Sequence, residues 1–264
     1  MDSNISGDTP DLSRSQINRL GRRLRKAGTD GISDADRDLL ERLVASHGPA
    51  LAAVQDQLMQ TLGVRVTSRT KTTGTLIEKL QRNQSMALSR MQDIAGARLV
   101  LEMTRVQQDQ LVARIVELFP GAETMDRRAQ PSHGYRAVHV VVQVDERFVE
   151  IQVRTVLQDL WAQLTERLGD AWGRGIRYGD PPDDPDALVG SGTTRQAFFD
   201  GLLHQAERID AVESIAVDLL ELEDFYRSTT ATPENLRRLE ELKQRHRSLE
   251  DETREFYRAL GLLN

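Results

Sequence analysis

The chain has 264 residues, of which 39% are hydrophobic and 29% charged, with a net charge of -6 and no cysteine. That length can bury one good core with an appendage, or two small ones. The missing cysteine excludes disulfides, thiolate zinc sites and thiol nucleophiles, and the acidic balance argues against broad, nonspecific nucleic-acid binding.

The opening residues, MDSNISGDTP, lack the basic start and apolar stretch of a signal peptide. No apolar run approaches the roughly 20 residues of a membrane span, so a cytoplasmic protein without a membrane partner is expected. Residues 11–27 read as a helix with Leu12, Ile17, Leu20 and Leu24 on one stripe, ended by GTDG. Arg14, Arg19, Arg22, Arg23, Arg25 and Lys26 make it a local basic patch suited to polyanions. Ser33 with Asp36 resembles a capping box for a helix over 33–47. Pro49 suits the first turn of a third helix, which Gly63 stops.

A mixed centre follows. VRVTSR is a short strand and TGTLIEKLQRNQSM a helix with a loop; ARLVLEM is a buried strand and 105–119 a helix. A short strand near 122–126 precedes a hairpin over 134–155 and a helix over 156–172. Residues 173–194 are rich in Gly, Pro and Asp and read as a long loop. Two long helices close the chain. The second repeats Leu239, Leu242, His246, Leu249, Thr253, Phe256 and Leu260 at alternating gaps of three and four, a seam that predicts either an intramolecular hairpin or a homo-oligomer. The expected division is a helical extension over 1–62, a core over 63–172, the loop over 173–194 and a helical hairpin over 195–264.

Chemistry concentrates in three stretches. In RTKTTGTLIEKLQR, Arg69 and Lys71 are two apart at a strand end, and Thr75, Lys79 and Arg82 follow at helical spacing on one face. Only four of the 35 basic residues are lysine, and two of those four are Lys71 and Lys79. Lysine serves phosphates as a mobile point charge, so this stretch reads either as a phosphate cradle or as a solvated basic face. In MQDIAGARLV, Asp93 stands beside a strand entering the core, a position used by metal ligands and by turn residues alike. In the hairpin, alternate residues share a face, and the face holding Tyr135 and His139 on one strand and Glu150, Gln152 and Arg154 on the next is unusually rich in reactive groups. Glu150 is costly in mid-strand unless solvated, paired or metal-bound. With Asp93 it matches the one or two carboxylates that magnesium takes alongside substrate phosphates. Tyr135 can stack a base. The set suggests phosphoryl or nucleotidyl transfer.

In this order the stretches resemble the synthetase domain of the RelA/SpoT family, which makes the alarmones ppGpp and pppGpp. The matching residues are Arg69, Lys71, Thr75, Lys79 and Arg82, then DIAGAR, GYRAVH, EIQVRT, and Trp161 with Ala162, covering about 63–172. The resemblance implies an α/β (α+β) fold, a mixed five-stranded sheet of nucleotidyltransferase type flanked by helices. It implies transfer of the β,γ-pyrophosphate of ATP to the 3′-hydroxyl of GDP or GTP. By the same resemblance Arg69, Lys71, Thr75, Lys79 and Arg82 bind ATP, and Arg98 stacks on its adenine. Asp93 and Glu150 hold Mg2+, with Glu150 as base. Tyr135, His139, Gln152 and Arg154 bind the acceptor.

Two stretches depart from the family pattern. MDRRAQPSHGYR has Arg127 and Arg128 where the family often has an Asp-Tyr pair and a Lys, and Glu166-Arg167 replaces a common Glu-His. Acceptor identity therefore stays open. The alternatives are a toxin-type member acting on the 3′ end of tRNA or making adenosine alarmones, with the basic first helix and the loop arginines Arg174 and Arg177 available to tRNA, and a silent nucleotide-binding module. No His-Asp pair suited to the family's hydrolase occurs, so a synthetase-only protein is expected.

Overall fold

The computed structural model describes residues 12–27, 31–190, 192–229 and 231–263. The opening ten residues and most of the GTDG stop lie outside them. Helix α1 (Arg14–Ala27) buries Ile17, Leu20 and Leu24, the predicted stripe. In α2 (Asp34–Ala45) the Ser33 side chain accepts from the Asp36 amide, as expected of an N-cap. The reciprocal half of the expected capping box is absent, because the Asp36 carboxylate instead accepts from Arg23 Nε at 2.9 Å and Nη2 at 2.6 Å. Helix α3 (Gly48–Leu62) carries Pro49 in its first turn and stops at Gly63, whose φ of +66° is the left-handed conformation that closes helices.

Strand β1 (Thr67–Thr70), α4 (Thr73–Arg82), β2 (Ala95–Leu101), α5 (Arg105–Leu118), β3 (Glu123–Asp126), β4 (Val138–Val144), β5 (Arg147–Thr155) and α6 (Val156–Trp172) follow the predicted order. The five strands form one mixed sheet in the order β1-β2-β5-β4-β3, flanked by helices. Strands β1 and β2 are antiparallel, with Arg69 opposite Gly96 and Thr67 opposite Arg98. Asp145 and Glu146 join β4 to β5 with both φ positive, at 46° and 63°, the two-residue turn whose twist matches a hairpin. Alternation decides the faces. Ala95, Ala97 and Leu99, Val138, Val140 and Val142, and Val149, Ile151 and Val153 are all buried, and the intervening residues carry the polar groups.

The chain resolves into two compact units: Met1–Arg98 with Gly121–Glu123 and Val141–Ile151, and Leu99–Pro120 with Thr124–Val140 and Gln152–Asn264. In the first, α1, α2 and α4 share a core of Leu20, Leu24, Leu40, Leu76 and Leu80. Arg25 ties α1 to the end of α4, donating from Nε to Leu80 O at 3.0 Å and from Nη2 to Met86 O at 2.5 Å.

In the second, α6 packs with α7 (Arg195–Ser228) through Trp161, Leu164, Leu202 and Ile209. The Trp161 indole donates to Leu202 O at 2.9 Å. Helix α8 (Pro233–Ala259) folds back on α7, with Lys243 on Glu223 at 2.7 Å and Leu249, Phe256 and Leu260 against the shared core. Tyr257, one residue off the predicted stripe, is fully buried. A straight helix of 3.6 residues per turn drifts off a 3.5-residue seam, which brings the neighbouring position inward.

The described residues of the stretch 173–194 are mostly loop, as composition predicts, and are tied by backbone bonds. They include a 3₁₀ turn at Arg174–Tyr178 and a ribbon of β6 (Leu188–Val189) with β7 (Thr193–Thr194). The Asp183 amide donates to Trp172 O at 2.6 Å and Arg195 N to Ala187 O at 2.9 Å. No described helix is long and apolar enough to cross a membrane.

Candidate active site

The phosphate-suited residues lie in the first unit. The β1–β2 pairing sets Thr70 opposite Ala95, and the Lys71 amide, donating to Ile94 O at 2.9 Å, carries the ladder one step on, so the β1–α4 turn lies beside Asp93. Thr72 caps α4, and the Thr75 hydroxyl donates back to Thr72 O at 2.8 Å, so the first turn is fixed from within. One and two turns on, Lys79 and Arg82 extend the face that Thr75 begins. Lys71 Nζ lies 3.5 Å from Asp93 Oδ2, and Lys79 Nζ donates to the same oxygen. Both ammoniums stay about a third exposed, at 28% and 32%, so they can leave the carboxylate for a phosphate without a large burial cost.

Asp93 Oδ1 is buried and has no hydrogen-bond partner. A carboxylate oxygen without a donor is suited to a cation, and a hard oxygen is the donor magnesium prefers. Glu150 supplies a second carboxylate. It is partly buried, with its backbone carbonyl 3.6 Å from where a Cβ on Gly96 would sit. Arg69, Gly96 and Glu150 therefore form one row across β1, β2 and β5, and Arg98 stands two residues beyond Gly96 on the same face of β2. Among the described residues no group of three or more His, Cys, Asp or Glu could hold a metal. Asp93 and Glu150 are two carboxylates of the kind that would hold magnesium together with substrate phosphates.

The acceptor-suited residues lie in the second unit, and the structure brings them together. The Arg154 guanidinium is centred 5.1 Å from the Tyr135 ring centroid and donates to the Tyr135 hydroxyl at 2.9 Å, to Gln152 Oε1 at 2.8 Å and to Asp159 Oδ1 at 2.7 Å. Arginine can only donate, so the Tyr135 hydroxyl oxygen accepts from it, and the same hydroxyl shares a hydrogen bond with His139 Nε2 at 2.8 Å. The two rings meet edge to face at 5.6 Å. Arg154 is 2% exposed. Burial alone would lower its guanidinium, but Tyr135 and Asp159 outweigh burial and hold it above the ordinary arginine value. Arg154 thus stands behind Tyr135 as its support. Asp159, which also accepts from Gln163 at 2.7 Å, is the partner that sequence reasoning missed. Its signal was present: an acid in the first turn of the helix that begins right after EIQVRT.

The variant stretch before the Gly-Tyr motif is partly structural. Arg128 is held by Asp126 at 2.7 Å, Asp109 at 2.5 Å and Gln108 at 3.0 Å. In the loop after α6, Arg177 is likewise tied to Asp170 at 2.5 Å and Glu166 O at 2.9 Å.

A family model described as the region found in RelA / SpoT proteins matches residues 68–168. Uncharacterized proteins of Mycobacterium tuberculosis and Mycobacterium bovis are 36% identical to this chain over 212 residues, 75% of this chain and 76% of theirs. Among solved structures, the small alarmone synthetase 1 of Bacillus subtilis is similar at a TM-score of 0.51 and 22% identity, covering 73% of this chain and all of that one. The same enzyme bound to its product pppGpp aligns at 0.50 and 20%, covering 74% of this chain and all of that one. The fold is that of the small alarmone synthetases, and the chain belongs to the RelA/SpoT family.

Proposed function

We propose that the protein is a pyrophosphotransferase that moves the β,γ-pyrophosphate of ATP to the 3′-hydroxyl of GDP or GTP. The observation that carries this reading is the pair of lysines on one oxygen of Asp93 with the other oxygen unpartnered, a cluster of mobile positive charge around a carboxylate suited to a cation.

In this reading Lys71, Lys79, Arg69 and Arg82 hold the ATP phosphates, and Arg98 lies against the adenine. Asp93 and Glu150 would hold Mg2+, which when bound neutralises phosphate charge. Glu150 takes the proton of the 3′-hydroxyl as its oxygen attacks the β-phosphorus. The bond from that phosphorus to the bridging oxygen of the α-phosphate breaks, and AMP leaves with the bridging oxygen. Tyr135 receives the acceptor base, with His139 and Gln152 beside it and Arg154 holding the ring. Such a displacement needs positioning and charge neutralisation more than covalent chemistry. The product-bound Bacillus subtilis enzyme supports a guanine acceptor, and it does so by likeness of fold.

The test is transfer of label from γ-labelled ATP, with magnesium, to GDP, GTP, AMP, ATP or bulk tRNA offered in parallel. Labelled guanosine products are expected. Label reaching tRNA while guanine nucleotides stay inert would replace this reading with that of a tRNA-modifying enzyme. Label reaching only AMP or ATP would make it a maker of adenosine alarmones, and no transfer to any of them would leave a binding module.

A further inference from the structure

The family match ends at residue 168 and α7 begins at Arg195, so the resemblance gives α7 no part in the reaction. Two carboxylates on α7 nevertheless reach the acceptor motif. Asp210 and Glu213 lie about one turn apart. Asp210 Oδ1 accepts from Arg136 Nε at 3.1 Å, and Arg105 Nη2 pairs with the same oxygen. Arg136 directly follows Tyr135, and its Nη1 also donates to Ala206 O at 3.0 Å and to Gly134 O at 3.3 Å. One guanidinium therefore laces the Gly134–Tyr135 turn to α7 at both a side chain and a backbone carbonyl.

A second observation agrees. Gly134 has φ +90°, and a Cβ there would lie 2.7 Å from the Trp161 ring and 3.0 Å from Ala206 Cβ, so the turn sits directly on α6 and α7. Glu213 completes the frame. It is buried and accepts from Arg105 Nε at 3.0 Å, from Gln158 Nε2 at 2.9 Å and from the Thr155 hydroxyl at 2.5 Å. Thr155 is the N-cap of α6, the helix that carries Asp159.

We propose that Asp210 is a positioning residue for the acceptor, acting through Arg136 to hold the Tyr135 ring where the acceptor base binds, while Glu213 fixes the end of α6 that anchors Arg154. The proposal rests on the reading of Tyr135 as the acceptor platform. The Arg136 side chain is only 10% exposed, so loss of the Asp210 carboxylate strands a guanidinium that must turn toward water. The Gly134–Tyr135 backbone, bonded to the same guanidinium, turns with it. Acceptor binding then weakens, and ATP binding does not.

The experiment varies ATP and GDP independently for Asp210→Asn, and titrates GDP into each protein by calorimetry without ATP. The expected result is an acceptor KM and GDP Kd raised about tenfold, the scale of one lost charge-assisted hydrogen bond, with the KM for ATP unchanged. Asp210→Glu should restore most of the difference. Because a stranded guanidinium also lowers stability, two further variants separate the effects. Arg136→Gln combined with Asp210→Asn removes both charges and should recover melting temperature while keeping the raised acceptor KM. Glu252→Gln, which breaks the α8 pairing with Arg208 of α7, should leave both KM values alone. An unchanged acceptor KM in folded Asp210→Asn, or parallel rises for ATP and acceptor, overturns the positioning role. A wild-type protein that binds no GDP overturns instead the reading of Tyr135 on which the proposal rests.

Discussion

The cluster around Asp93 and the cluster around Tyr135 are both polar, yet they are built in opposite ways. At Asp93 two ammoniums, each about a third exposed, share one carboxylate oxygen, and the other oxygen has no hydrogen-bond partner. At Tyr135 the hydroxyl is bonded on both sides, and the guanidinium behind it is buried and held by three partners. The first arrangement can exchange partners at small cost, because charges on flexible stems near water rearrange readily. The second cannot, because every bond broken there leaves a buried polar group unsatisfied. Phosphates whose charge shifts during transfer suit the first arrangement. A flat base that must be held in one orientation suits the second. The comparison predicts that changes at the first cluster act on rate and those at the second on binding and stability.

The largest expected effect tests the rate side. Glu150→Gln keeps the shape of the side chain and removes its basicity and negative charge. Transfer should fall by about three orders of magnitude, within the range for losing a general base. The melting temperature should hold within a few degrees, since the partly buried position accepts an amide. Near-wild-type turnover would remove Glu150 from the role of base. Next, Lys79→Met should lower kcat/KM for ATP by about a hundredfold, the scale of one lost electrostatic contact to the transferring group. Its fold should be nearly intact, because Lys79 is about a third exposed and Lys71 stays beside the same Asp93 oxygen. A large loss of stability would make Lys79 a structural partner of Asp93 instead.

The stability side has its own sharp test. Arg154→Met leaves Asp159 with no guanidinium, and the Asp159 side chain is 8% exposed. Breaking a buried pair on one side costs about 3–5 kcal/mol, to be read from urea unfolding. Tyr135→Phe is milder. It keeps the ring and strands one Arg154 bond and His139 Nε2, so the acceptor KM should rise several-fold with ATP KM unchanged, about 1 kcal/mol. If Arg154→Met were as stable as wild type but dead, the cluster would be contact surface and not support.

The two clusters also differ in how far the sequence revealed them. The phosphate residues follow from short-range rules: alternation at a strand end, then spacings of four and three on a helix that Thr72 caps. Their convergence on Asp93 needed the long-range pairing of β1 with β2, continued by Lys71 N to Ile94 O, which no local pattern encodes. The hairpin faces were legible from His139 onward, but Tyr135, read as part of the first strand, lies in the turn before β4, bridged to Ser132. The burial of Arg154 was not legible. It depends on Asp159 in the first turn of α6 and on the Tyr135 hydroxyl, which a turn before β4 brings to the guanidinium. Composition likewise marked 173–194 as loop without showing the backbone bonds, Asp183 N to Trp172 O and Arg195 N to Ala187 O, that tie its described residues to the flanking helices.

The smallest prediction concerns a pair whose strength should not be mistaken for that of either cluster. Arg23 on α1 holds the Asp36 carboxyl below the ordinary carboxylate range, chiefly by hydrogen bonding and secondarily by charge. A carboxyl whose folded value is depressed adds stability above its unfolded value, near 4, and that stability is lost as pH falls through the folded value. Arg23 is 48% exposed, so water screens the pair and its contribution stays under about 1 kcal/mol. Arg23→Gln should therefore shift the urea midpoint slightly at pH 7, and the shift should vanish at low pH, once Asp36 is protonated in the folded protein too. It should also shrink in high salt, whereas the Arg154→Met loss should not. A salt-insensitive loss at Arg23 as large as the one at Arg154 would mean that helix α1 is held by buried electrostatics too, and the contrast between an adaptable phosphate side and a locked acceptor side would have to be redrawn.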